Sequence, residues 1–111
     1  MKIVFTVVAA ALLSATVVHA ARAAADPAQL KRGEELLQRD CSHCHAVGRT
    51  GQSPHKGAPA FRTLSKRYPI DSLEEALAEG IVSGHPDMPE FSFDAADVGA
   101  IIAYLKSIQQ H

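Results

Sequence analysis

Both cysteines of this 111-residue chain fall within five positions, in the run Cys41-Ser42-His43-Cys44-His45. No other feature limits the possible folds so strongly. Two thiols three positions apart, with a histidine directly after the second, are open to three chemistries: a redox disulfide, a metal site, or covalent attachment of a haem. Each asks for a different scaffold, so the compartment and the surrounding elements must choose among them.

The compartment is written at the start of the chain. Met1 and Lys2 form a short positive head, residues 3–18 carry no charge, and "VVHAARAAADP" then offers several small-residue cleavage sites. That layout is a secretory signal peptide. The 16 uncharged residues fall short of the roughly 20 that a membrane-spanning helix needs. We therefore expect residues 1–25 to be removed, with the cut between 20 and 25, and the product to reside in the periplasm without stable membrane insertion.

Residues 26–111 are enough for one small domain. A chain of that size buries little core and usually needs a disulfide, a metal or a cofactor as a staple. From Asp26 onward, nine Lys and Arg stand against twelve Asp and Glu, a net charge of −3. This mild acidity argues against a nucleic-acid partner.

Helical signals dominate the rest. Asp26 can cap a helix, Pro27 suits its first position, and Gln29 stands where a reciprocal capping partner belongs. Leu30, Gly33, Leu36 and Leu37 then share one face. Gly33 on that face is costly, by about 1 kcal/mol relative to alanine in a helix interior, and close approach of another helix would explain it. From Val47 to Pro69 the pattern dissolves into a glycine- and proline-rich loop, long enough to be functional or wrapped around a ligand. A second helix is announced by "DSLEEALAEG", with Asp71 or Ser72 as cap and Leu73, Ala76, Leu77 and Ile81 as its apolar side. A stiff loop follows, "SGHPDMPEF". The last helix opens near Asp94 and carries Val98, Ile101, Ile102, Leu105 and Ile108 on one face, with Tyr104 at its edge. No strand is required. The expected fold class is all-α: three main helices with long loops wrapped around a group that is not protein, because five aromatics and no tryptophan after position 26 cannot fill such a core.

The scaffold decides among the chemistries. A thioredoxin-like disulfide lies near a βαβ pattern, and no strand is expected here. Zinc wants four ligands, and Cys41, Cys44 and His45 lack a fourth at finger spacing. C-x-x-C-H is the haem c attachment pattern: two thiols add across the vinyl groups, and the next residue brings an imidazole to the iron. A second axial ligand is then needed. Met88 is the only methionine after the signal segment, and it lies between Pro86 and Pro89 rather than on a helix face. A loop with preset φ angles loses less entropy in holding a weakly binding thioether. His85 is the competing ligand. His43 is expected to point away from the iron, and His55 to be solvated in the loose loop.

At these residues the chain resembles the class I (mitochondrial/bacterial-type) c-type cytochromes with one haem. The likeness rests on Cys41-Ser42-His43-Cys44-His45 near the start, Met88 in "MPEF" towards the end, and the two terminal helices. It implies that a proline carbonyl, that of Pro59 in "GAPAF", accepts the other imidazole N–H of His45. It also implies that the terminal helices cross at a small residue facing an aromatic one, with Gly33 and Tyr104 in those roles. The tryptophan that many relatives place near a haem propionate is missing.

The expected function is an electron carrier, not an enzyme, with one haem c attached covalently through Cys41 and Cys44 and its iron held by His45 and Met88. Filled axial positions leave no place for a substrate. The alternative is a cytochrome subunit of a periplasmic dehydrogenase complex; a haem enzyme or gas sensor would require Met88 to be off the iron. Charge points to the partner. Arg49, Lys56, Arg62, Lys66 and Arg67 form a basic stretch without an acid, whereas residues 71–97 hold eight acids and no Lys or Arg. The basic stretch follows the haem motif directly, so redox partners with an acidic docking surface are expected, and a monomer.

Overall fold

The computed structural model describes residues 24–81 and 84–111; the expected signal peptide falls on residues 1–23 for all but its last two positions and so lies outside them. The described chain is helical. Helix α1 spans Pro27–Asp40, α2 spans Glu74–Glu79 and α3 spans Ala95–Ile108. Two 3₁₀ segments, Phe61–Lys66 and Ile70–Leu73, lie between α1 and α2. No strand occurs among the described residues, so the all-α expectation holds.

Local chemistry starts the two long helices where the sequence places them. The Asp26 carboxylate accepts from the Ala28 N–H at 3.0 Å, and the Asp94 carboxylate accepts from Asp97 N–H at 2.8 Å. Each satisfies a backbone donor that the first helical turn leaves unpaired. The middle of the chain departs from expectation. Asp71 and Ser72 do not cap α2: Ser72 donates its hydroxyl to Pro69 O, and Asp71 pairs with Lys106 of α3 at 2.5 Å. Helix α2 instead continues the preceding 3₁₀ turn without a side-chain cap. It stops at Gly80, whose φ of 113° is a conformation side-chain-bearing residues rarely adopt. Part of the long loop is also ordered, since Phe61 and Leu64 sink into the core and draw Phe61–Lys66 into a 3₁₀ helix.

The core lies where α1 and α3 cross. Leu36 and Leu37 of α1 meet Val98, Ile101, Ile102, Leu105 and Ile108 of α3, with Val47, Phe61, Leu64, Ile70 and Leu77 closing the sides. Gly33 makes the crossing possible. A Cβ there would stand 2.1 Å from the Ala100 carbonyl oxygen and 2.8 Å from the Tyr104 Cβ. The glycine is therefore a contact between helix backbones, as the resemblance implied. Tyr104 is buried rather than at an edge, and its hydroxyl donates to Val47 O at 2.9 Å.

Candidate functional site

Helix α1 ends at the cysteine motif. The Cys41 N–H still bonds back to Leu37 O, and Cys41 O then accepts from both Cys44 N–H at 3.1 Å and His45 N–H at 2.9 Å. This tight turn puts both thiols and the imidazole on one short segment anchored to the helix end. Cys41 and Cys44 are free thiols, and both are half-buried. Burial pushes the Cys41 thiol up to about 11, with the nearby Asp40 carboxylate adding to the shift. Arg39 in turn holds Asp40 below the usual carboxylate range through hydrogen bonds of 2.8 and 2.6 Å.

His45 carries the most informative geometry. Its Nδ1 lies 2.8 Å from Pro59 O. A carbonyl can only accept, so Nδ1 holds the hydrogen and the Nε2 lone pair is left for a metal. Second-shell bonds of this kind fix the tautomer and raise the ligand's basicity. The ring also packs on Phe61, with centroids 4.6 Å apart. Phe61 is itself held by its N–H to Ala46 O at 2.9 Å. A cluster the sequence reading missed braces this wall. Gln109 donates to Phe61 O and Leu105 O and accepts from Ser65 N–H, all at 2.7–2.8 Å, tying the 3₁₀ helix to the end of α3. Nothing local in the sequence marks a glutamine after the last helix for that role.

Met88 is half-buried, in a turn closed by its N–H to His85 O at 3.1 Å. At the base of its loop, Ile81 N–H bonds Phe91 O and Phe93 N–H bonds Leu77 O. His43 is exposed. His55 is exposed but not simply solvated: its N–H reaches Cys44 O, its Nδ1 accepts from Gly57 N–H, and its Nε2 is 3.7 Å from an Asp87 carboxylate oxygen. Basic side chains divide into two groups. Arg49, which is exposed, and Arg62, which is half-buried, donate to the backbone carbonyls of Ser107 and Gly51 respectively; Lys56, Lys66 and Arg67 are exposed.

These residues fit a haem c. The thiols are unpaired and follow one another on a turn, and the imidazole presents the correct nitrogen. Among the described residues, no three His, Cys, Asp or Glu side chains are grouped to hold a metal ion.

Such a motif, in an all-helical domain closed by crossing terminal helices, defines a c-type cytochrome of class I. The chain belongs to the cytochrome c family: the family model described as cytochrome c oxidase, cbb3-type, subunit III matches residues 28–105. It is similar to cytochrome c-552 of Bradyrhizobium diazoefficiens, 31% identical over 77 residues that cover 69% of this chain and 72% of that protein. Cytochrome c6 of a Picosynechococcus species is 32% identical over 111 residues, covering 95% of this chain and 89% of the relative. The cytochrome c subunit of the Corynebacterium diphtheriae cytochrome bc1 complex is 32% identical over 90 residues, covering 77% of this chain but 29% of that longer protein. No solved structure matches the chain significantly. The protein is a haem electron-transfer protein rather than an enzyme, with covalently bound haem c and its iron as cofactor and redox proteins as partners.

Proposed function

We propose that residues 26–111 form a periplasmic carrier that passes single electrons between redox proteins, after removal of residues 1–25 as a signal peptide. Cys41 and Cys44 form the two thioethers. His45, through Nε2, and Met88, through its sulfur, would be the two residues that hold the iron. The observation that carries this reading is the 2.8 Å contact between His45 Nδ1 and Pro59 O, which readies Nε2 for iron.

The bound haem supplies a one-electron couple. The chain's own residues determine how that couple behaves. His45, oriented by Pro59 and packed on Phe61, keeps its position through oxidation and reduction. Met88 opposite a histidine raises the reduction potential, which suits the high-potential end of a respiratory or dehydrogenase chain. With His45 and Met88 both on the iron, no position would be left there for a substrate. No helix among the described residues is long and apolar enough to cross a membrane.

Lys56, Lys66 and Arg67 supply the docking charge towards a partner with an acidic surface, and the carrier works as a monomer. Small, electrostatically guided contacts let a carrier release as readily as it binds. The likeness to a bc1-complex cytochrome subunit favours one second reading, a subunit of a larger redox complex such as a periplasmic dehydrogenase. Size-exclusion chromatography of the protein from its native periplasm separates the two: a carrier elutes alone and a subunit elutes with its complex.

Denaturing electrophoresis with haem staining, joined to intact mass, tests the attachment. One haem should stay with the chain, and Cys41→Ala or Cys44→Ala should leave it held by a single thioether. Complete loss of haem from the native protein on acid-acetone extraction would refute the attachment.

A further inference from the structure

One residue outside the proposed ligand set touches both sides of it. His55 donates its backbone N–H to Cys44 O at 3.1 Å, and Cys44 directly precedes His45. The same residue's imidazole Nε2 lies 3.7 Å from Asp87 Oδ2, and Asp87 directly precedes Met88. His55 therefore joins the residues before the two proposed axial ligands, although it is ten positions from one and more than thirty from the other in sequence.

The ring is oriented for this contact. Its Nδ1 accepts from the Gly57 N–H at 3.1 Å, so the neutral ring carries its hydrogen on Nε2, facing the Asp87 carboxylate. A Cβ on Gly57 would come within 3.3 Å of the ring, so the glycine lets its backbone approach this closely. At 3.7 Å the Nε2 contact is an electrostatic one, longer than a direct hydrogen bond. On the other side, the Asp87 turn is closed by Met88 N–H to His85 O, and the loop base is held by Ile81 N–H to Phe91 O at 3.3 Å. Base and tip are thus secured separately. The base is bound to its own flanks, whereas the tip is bound across to the segment that follows the cysteine motif.

We propose that His55 is a positioning residue that latches the Met88 loop to the proximal segment and thereby keeps Met88 on the iron. The inference rests on the reading of Met88 as distal ligand. An external ligand can reach the iron only when the loop opens, so its apparent affinity scales with the open fraction. An exposed electrostatic contact of this kind is weak, which limits the expected change to roughly two- to fivefold.

The test uses the ferric holoprotein and imidazole as the probe. His55→Asn is the informative variant, because its side-chain oxygen can still accept from the Gly57 N–H as asparagine does in turns, but its amide is too short to reach Asp87. His55→Asn and Asp87→Asn should each tighten imidazole binding about two- to fivefold. The double variant should tighten it no further than the stronger single one, since both remove the same contact. The sulfur-to-iron charge-transfer band should survive in all three before imidazole is added. Unchanged imidazole affinity in the single variants, or effects that add in the double, would overturn the latch while leaving Met88 as ligand. A native protein whose band is absent, or persists in Met88→Ala, would overturn the ligand assignment and the latch with it.

Discussion

Gly33 of α1 rests against the backbone of Ala100 in α3 so closely that a single methyl group would collide with the carbonyl oxygen, at 2.1 Å. Two helices far apart in sequence are therefore joined through an absence of side chain. On propensity alone, Gly33→Ala would favour α1 by about 1 kcal/mol. Overpacking of about 1–3 kcal/mol opposes it, and here the obstacle is backbone, which cannot rotate aside. Set against the propensity gain, this leaves an expected net destabilisation of up to about 2 kcal/mol, read as a lower denaturation midpoint in guanidinium. A stabilised variant would show that the helices separate at no cost.

Tyr104 lies one turn from that contact and ties α3 to the start of the loop after the haem motif. Tyr104→Phe leaves Val47 O without its 2.9 Å donor and should cost about 1 kcal/mol at neutral pH. Burial raises the Tyr104 phenol above its ordinary value, with Glu34 adding to the shift. The folded state thus holds this proton more tightly than the unfolded chain. The stabilisation is complete below the unfolded value near 10 and is lost as pH rises through the folded one. The gap between native protein and Tyr104→Phe should accordingly narrow above about pH 10. A gap that stayed constant through that range would assign the whole effect to other contacts.

Two side chains compete for the distal position, and a pair of spectra distinguishes them. Met88→Ala should abolish the sulfur-to-iron charge-transfer band and open the iron to carbon monoxide in the reduced protein. His85→Ala should leave both properties nearly unchanged. Bis-histidine ligation would lower the potential relative to histidine and methionine, so redox titration provides an independent check. Reversal of the two phenotypes would make His85 the ligand.

Docking is expected to depend on Lys56, Lys66 and Arg67 rather than on the whole basic stretch, because Arg49 and Arg62 are engaged with backbone carbonyls. Lys66→Glu with Arg67→Glu should slow electron transfer to the physiological partner at low salt and leave the potential nearly unchanged. Transfer by the native protein should slow as salt rises and the Debye length shortens towards about 8 Å. Rates that rose with salt would point to the acidic 71–97 segment as the docking surface.

Much of this protein was legible in residue order because its strongest signals are local. Capping at Asp26 and Asp94 acts over two or three positions, the apolar stripes of α1 and α3 repeat every turn, and the Cys41-to-His45 spacing is a property of five consecutive residues. Such features depend on neighbours that the sequence itself supplies. Gly33 was legible as an anomaly, with its partner supplied only by likeness to a family. The remaining features depend on contacts between distant segments. Asp71 is a plausible cap until Lys106 arrives from α3, the 61–66 segment is loop-like until Phe61 and Leu64 find the core, and Gln109 has no role until Phe61, Ser65 and Leu105 surround it. His55 shows the same division at the site: its neighbours suggest a solvated loop residue, whereas tertiary structure brings it to both Cys44 and Asp87. Local hydrogen bonding and periodicity are encoded along the chain, but the pairing of polar groups across loops exists only after the hydrophobic crossing of α1 and α3 has brought those loops together.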